Sequence, residues 1–332
     1  MRYFYTLLSI SVIVTFTSCK QKSATTTDET EKSETVPAIK VADFNADSAY
    51  YFVEHQVKFG PRVPNTKAHK ECAAWLESTL KKYSPQVVVQ PFTAKAYDGT
   101  VLNCKNIIAS FNPKSPTRVL LCSHWDSRPY ADNDPDSAYH RTPIEGANDG
   151  ASGVGILLEI ARQLKISPAA IGVDILLLDG EDYGAPQDAG FTGTDDWALG
   201  SQYWSRYPHV PSYSARYGIL LDMVGAENAV FTLEGTSMYY APDIAQKVWN
   251  MGASIGYSDY FSTERTNALT DDHVYINQLR QIPTIDIIQH DQLTQSGFYQ
   301  NWHTMKDNMK GISKPTLMAV GQTVLTVVRS EK

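Results

Sequence analysis

From residue 46 onward the apolar positions follow two rhythms, and their alternation lays out an α/β protein. Helical spacing, with apolar side chains three and four residues apart, runs through Ala46–Lys58 and Lys67–Tyr83. Between them the breaker-rich Phe59-Gly60-Pro61-Arg62-Val63-Pro64 predicts a loop. Short runs at Val87–Val89, Asn106–Ala109 and Val119–Cys122 read as strands. After Gly150-Ala151-Ser152-Gly153, the residues Val154, Leu157, Leu158, Ala161 and Leu164 share one helical face. Val173–Leu178 and Ile219–Leu221 are continuous apolar runs of strand length, Ile285–Ile288 is a weaker one, and Lys314–Arg329 reads as the closing helix. Strands that are apolar on both faces and separated by helices predict a three-layer α/β/α sandwich. Its central sheet should be mixed but largely parallel.

The first 40 residues break this pattern. Arg2, the apolar segment Leu7–Phe16 and the small residues Thr17-Ser18 before Cys19 have the layout of a secretory signal over residues 1–18. Cys19 resembles the lipidated cysteine of bacterial lipoproteins. Residues 20–40, rich in Thr, Ser, Lys and Glu, carry too little apolar surface to offset ordering and predict a tether. The expected arrangement is an envelope protein held on a membrane only by its lipid, periplasmic or facing the outer membrane. Residues 41–332 then form one catalytic domain, with no internal repeat, and a tethered monomer needs no further assumption.

Composition narrows the field only slightly. With 42% hydrophobic and 20% charged residues, the 332-residue chain is ordinary for a folded protein. A formal net charge of -7 argues against nucleic acid as a partner. Of the four cysteines, Cys72, Cys104 and Cys122 remain after Cys19, and their spacing names no disulfide pair.

Chemistry enters where the apolar runs stop. Val119–Cys122 is followed by Ser123-His124-Trp125-Asp126, Ile175–Leu178 by Asp179-Gly180-Glu181-Asp182, and Ile219–Leu221 by Asp222. Gly146-Ala147-Asn148-Asp149-Gly150 leads into a helix, and Asp271-Asp272-His273 and Trp302-His303-Thr304-Met305 stand late in the chain. Each of these alone has an ordinary explanation: Asp149 as a helix cap, Glu181-Asp182 as a solvated turn. Together they deliver carboxylates and imidazoles to one edge of one sheet, where ligands bind in parallel α/β folds. Like charges gathered there need a cation or shared protons, and an oxygen-nitrogen ligand set suits Zn²⁺.

His124-x-Asp126, Asp149, Glu181-Asp182, Asp222 and His303 occur in the order seen in zinc aminopeptidases and glutaminyl cyclases, which share a fold. Trp302-His303-Thr304-Met305-Lys306-Asp307-Asn308, Asp271-Asp272-His273 and Leu221-Asp222-Met223-Val224-Gly225-Ala226 resemble the cyclase branch. With Cys19, the similarity is to the bacterial, animal-type glutaminyl-peptide cyclotransferases found as lipoproteins. That resemblance implies one zinc on Asp149, Asp182 and His303, with Glu181 as proton shuttle and Asp222 and Asp272 in an acidic network beside it. It makes His124 and Asp126 supporting groups or ligands of a second metal, and Trp302, Trp197 and, more weakly, Tyr183 the substrate wall. The implied substrates are peptides and proteins with N-terminal glutamine. Position 182 is Asp where many relatives have Glu, which argues against a standard two-metal site. The alternatives are a dinuclear zinc aminopeptidase, using His124, Asp149, Asp182, Asp222 and His303, and a non-catalytic binding module.

Overall fold

Two helices open the fold where helical spacing predicts them. In the computed structural model, which describes residues 43–190, 195–291 and 293–332, these are α1 (Ala46–Val57) and α2 (Lys67–Tyr83). Asn45 and Thr66 cap them, their side chains accepting from the backbone N–H of Ser48 and His69. The expected signal segment, Cys19 and the tether lie outside the described residues. Among those described, no helix is long and apolar enough to cross a membrane.

A hairpin of β1 (Gln86–Lys95) and β2 (Val101–Phe111) follows, longer than its apolar runs. Gln90, Pro91, Thr93 and Lys95 interrupt the apolar signal in β1 because it is an edge strand with most positions half in solvent. An edge strand also tolerates a proline. The chain then builds β3 (Arg118–His124), α3 (Ala151–Ile166), β4 (Gly172–Leu178), α4 (Leu199–Arg206) and β5 (Gly218–Asp222). Residues 223–283 carry no apolar run from which the sequence predicts a helix or strand. They hold a small parallel pair, β6 (Phe231–Leu233) and β7 (Phe261–Arg265), with α5 (Gly235–Tyr240) and α6 (Pro242–Ser254) between them, and the short α7 (Asp272–Tyr275). β8 (Thr284–Ile288) and α8 (Lys314–Ser330) complete the fold.

The main sheet has the order β1-β2-β4-β3-β5-β8. β1, β2 and β4 pair antiparallel, whereas β4, β3, β5 and β8 run parallel. Side chains of a strand alternate between faces, and here both faces are apolar. Leu121, Ile175, Leu177, Ile219 and Ile287 join a core with α1, α3 and α8. Leu120, Cys122, Leu176, Leu178 and Leu220 pack on the other face against Trp204, Tyr213 and Ile276. Each fully buried Leu or Ile stabilises the fold by about 1.5–3 kcal/mol relative to exposure. The sandwich expected from the sequence is therefore the one formed.

Strand order fixes where chemistry can happen. From β3 the chain turns through α3 to β4 on one side, then crosses to β5 on the other. The carboxyl ends of β3 and β5 thus flank a switch point, the position where such sheets leave a crevice. α3 sits tightly against it. A Cβ at Gly153 would lie 2.4 Å from both the Leu221 carbonyl and Ser123 Oγ, so only glycine lets the helix approach this closely.

Cys72, Cys104 and Cys122 are buried and unbridged. Burial pushes the Cys72 thiol up to about 12 and raises Cys104 and Cys122 as well. A thiol reagent at pH 8 is expected to label none of the three in the native protein and all three in urea. Rapid labelling of the native protein would contradict this packing.

Candidate active site

At the switch point lies a cavity of about 190 Å³. Asp149, Glu181, Asp182, Asp222 and His303 line it, with Trp197 and Trp302 as aromatic walls. Its volume is below the ~300–1,000 Å³ of sites for drug-sized ligands, which fits a single amino-acid side chain.

Asp149 does not cap α3: the helix begins after Gly150 with no side-chain cap. Its carboxylate instead lies 3.1 Å from His124 Nε2 and 3.6 Å from His303 Nε2. Gly150 has a positive φ of 86°, and a Cβ there would strike the Asp126 carbonyl and His124. Asp182 follows β4, with Oδ1 3.2 Å from His303 Nε2 and neither carboxylate oxygen in a hydrogen bond. Asp149, Asp182 and His303 thus offer ligand atoms within 4.8 Å of one another, all buried. A buried carboxylate with two unsatisfied oxygens beside a second carboxylate and an imidazole fits a dication. His124, Asp149 and Asp222 form a second such group, sharing Asp149, with His124 Nε2 3.2 Å from Asp222 Oδ1.

A further layer of acids holds the first in place. Asp126 accepts from the backbone N–H of Glu181 (3.1 Å) and Asp182 (3.2 Å). Asp307 does the same for Asn148 (2.8 Å) and Asp149 (3.1 Å). Asp132 Oδ1 lies 3.3 Å from His303 Nδ1, which directs Nε2 towards Asp149 and Asp182. Arg128, fully buried, binds Asp132 through Nε (2.8 Å) and an Nη (2.6 Å) and donates to the Asp182 carbonyl at 3.0 Å. Its guanidinium also lies 4.5 Å from the Trp197 ring centre.

The aromatic walls are placed by tight backbone contacts. Ala198 N–H donates to the Glu181 carbonyl and Leu199 N–H to that of Gly180, which swings Trp197 over the cavity. Gly184 admits the indole, since a Cβ there would sit 2.0 Å from it. Trp302 stacks on His303 with ring centres 3.7 Å apart. Ala198, Met223 and His303 all have positive φ without being glycine. Strain of that kind, about 1–3 kcal/mol each, persists where surrounding contacts enforce it, commonly at functional sites.

Two expectations shift. Asp271, not Asp272, lines the cavity, because Asp271 caps α7 and turns outward while Asp272, the first helical residue, is fully buried. Tyr183 does not line it either; it packs with Phe92, Leu102, Cys104 and Leu199 behind the β4 loop. Arg128, Asp132 and Asp307 escaped the sequence reading, although Asp307 stands in the quoted Trp302–Asn308 segment. Residues 191–194, just before Trp197, lie outside the described residues.

Crowding dominates the electrostatics. Burial, then the neighbouring Asp182, Asp271 and Asp272, holds the Glu181 carboxyl well above its usual range against the opposing pull of His124. Burial raises Asp182, reinforced by Asp149, and raises Asp222 despite its bond to His124. Asp307 rises to about 7 through burial and the charge of Asp149. Burial alone would lower both histidines. Asp126, Asp149 and Asp222 outweigh it at His124, as Asp182 and Asp132 do at His303, so both are raised. Asp149 is lowered: burial acts upward, but His124 and His303 prevail.

The chain belongs to peptidase family M28, whose model matches residues 106–328. It is 54% identical to Bacteroides thetaiotaomicron glutaminyl cyclase, solved with N-acetylhistamine bound, over 88% of this chain and all of that one, with a TM-score of 0.86. A Zn-dependent exopeptidase from Parabacteroides distasonis is 52% identical over 88% of this chain and all of that one, with a TM-score of 0.87. The glutaminyl-peptide cyclotransferase of Gloydius blomhoffii is 28% identical over 64% of this chain, and the match spans 61% of that relative's length.

The raised carboxyls carry a sign for stability. A carboxyl with a raised folded value keeps a proton that the unfolded chain has lost, so stability falls as pH rises. The window runs from about 4, where free carboxyls titrate, to the value of about 7 at Asp307. Raised His124 and His303 extend the loss above it, while lowered Asp149 acts only below it. Chelator-treated protein should lose urea resistance between pH 5 and 7.5, and added zinc should restore it. Metal-free protein that gained stability over this range would contradict the account.

Proposed function

We propose that this chain is a zinc-dependent glutaminyl-peptide cyclotransferase, converting the N-terminal glutamine of peptides and proteins to pyroglutamate. The observation that carries the reading is Glu181 facing Asp149, Asp182 and His303 in a cavity sized for one side chain. Homology to glutaminyl cyclases over the full length of a solved relative supports it.

In this reading Asp149, Asp182 and His303 hold one zinc. When bound, zinc polarises the γ-carbonyl of the substrate glutamine as a Lewis acid. Trp197 and Trp302 flank the glutamine methylenes and keep water out, which matters because water competes with the internal nucleophile. The bond that forms joins the α-nitrogen to the γ-carbon, and the bond that breaks releases the side-chain nitrogen as ammonia. Closing a five-membered ring makes the attack intramolecular, so orientation replaces an activated water. Glu181 takes the proton leaving the α-amine and returns it to the departing nitrogen. A carboxyl with a raised pKa is suited to both halves of that transfer. Asp222 and Asp271 line the cavity with it, and the neighbouring Asp182, Asp271 and Asp272 raise its affinity for that proton. His124 is occupied by Asp149 and Asp222, and Asp126 by the Glu181-Asp182 backbone.

A second reading, dinuclear aminopeptidase, draws on the intact group of His124, Asp149 and Asp222. The envelope setting belongs to the same proposal: lipid on Cys19 and the polar tether would hold a monomeric enzyme on the membrane surface, acting on N-terminal-glutamine substrates there.

Incubation with a Gln-initiated peptide is expected to yield a product lighter by one ammonia, with free ammonia in equal amount. Release of a whole residue would replace this reading with the aminopeptidase. Glu181→Gln is expected to retain zinc while turnover falls about 10²–10⁴-fold, the usual weight of general acid-base catalysis. An active variant would remove Glu181 from the proton path.

A further inference from the structure

Beside the catalytic cavity, and sharing Trp302 with it, lies a second cavity of about 420 Å³. Apart from Trp302 its lining side chains are polar, and four of them are carboxamides: Asn133, Gln187, Gln295 and Gln300. We propose that this annex binds the peptide backbone of the residues that follow the substrate's N-terminal glutamine. The proposal rests on the cyclisation reading and adds to it where the rest of the substrate lies.

The chemistry of the lining selects the ligand. Among the described residues no Lys or Arg lines the annex, and its one imidazole, His140, is engaged through Nε2 with the Asp134 carbonyl at 2.8 Å, so no fixed cation there is aimed at an anion. Its two carboxylates are already engaged. Asp132 is held by Arg128 and lies against His303, and Asp134 accepts from the backbone N–H of Met305 and Asp136. Neither is free to draw in a cation. What remains unspent is neutral hydrogen-bonding capacity. Asn133 Nδ2 is buried without a partner, while its Oδ1 accepts from Gln187 Nε2 at 2.8 Å. The side-chain amides of Gln295 and Gln300 make no hydrogen bond among the described residues and are open to solvent. A carboxamide offers donors and an acceptor together, which matches the alternating N–H and C=O of an extended peptide.

Position points the same way. Asn133 N–H donates to the carbonyl of His303 at 3.1 Å, so the annex floor is joined to the segment that carries the metal-ligand candidate. Trp302 lines both cavities and is stacked 3.7 Å from His303. An extended chain advances about 3.3–3.6 Å per residue, so the first residues after glutamine pass the edge of Trp302 into the annex. Because these contacts are remote from the reacting atoms, they act through binding: they lower KM and leave kcat nearly unchanged.

The test compares a Gln-initiated dipeptide with a Gln-initiated pentapeptide of uncharged side chains, using the whole protein. The wild type is expected to show a kcat/KM about fivefold or more higher for the pentapeptide, the size of one or two net hydrogen bonds. In Gln300→Leu, and in the double variant Gln295→Ala with Gln300→Leu, that ratio should fall towards one through a higher KM for the pentapeptide. Both residues are exposed, so folding is not at stake. A wild-type ratio of about one, or a ratio unchanged in both variants, overturns the annex while leaving cyclisation intact. Failure to cyclise either peptide overturns the underlying reading, and the annex with it.

Discussion

Too many carboxylates are buried in one place for this protein to be stable without a counter-charge, and the rest of its architecture follows from that constraint. Asp149, Asp182, Asp222 and Asp271 converge on a single cavity together with Glu181. Among the described residues, His124, His303, Arg128 and the buried Arg62 face them with positive potential. Arg128 is largely committed to Asp132 and to backbone carbonyls. In a low-dielectric interior such a group of acids either keeps protons or binds a cation. The raised values of Glu181, Asp182 and Asp222 are the first response, and the unsatisfied oxygens of Asp182 are the opening for the second.

Rigidity is the other half of the design. Asp126 and Asp307 each fix two successive backbone N–H groups, one pair ending at Asp182 and the other at Asp149. Asp132 sets the His303 ring, and Arg128 links Asp132 to the loop bearing Asp182 and to the face of Trp197. The segment after Met223 is held likewise, with Ser152 Oγ accepting from the Val224 N–H and Asn148 Oδ1 from the Gly225 N–H. Side chains acting on backbone thus hold the site where His303 and Met223 have positive φ. Preorganisation of this kind is needed where chemistry depends on proximity rather than on a strong external nucleophile.

What the sequence made legible was whatever depends on local pattern. Buried strands such as Val173–Leu178 show as unbroken apolar runs because both faces are covered, and the residues just beyond them land at one sheet edge by topology. β1 was only partly visible, since Gln90, Pro91 and Thr93 suit an edge strand and mask its apolar signal. β6 and β7 were invisible: one is three residues long and the other largely polar. Supporting residues were illegible for a different reason. Asp307 acts on Asn148 across 159 residues of chain, and Arg128 on Asp182 across 54, distances that no local pattern reports. Of the Asp271-Asp272 pair the sequence pointed to Asp272, and the cap geometry of α7 puts its neighbour Asp271 on the cavity.

The central claim is that one dication, seated by Asp149, Asp182 and His303, neutralises this acidic crowd while His124 and Asp222 stay bonded to each other. Anomalous X-ray scattering at the zinc edge from crystals of the zinc-loaded protein tests it directly. The account predicts a single peak per chain, within coordination distance of Asp149, Asp182 and His303. A second peak of equal height between His124 and Asp222, or no peak at the first position, would contradict it.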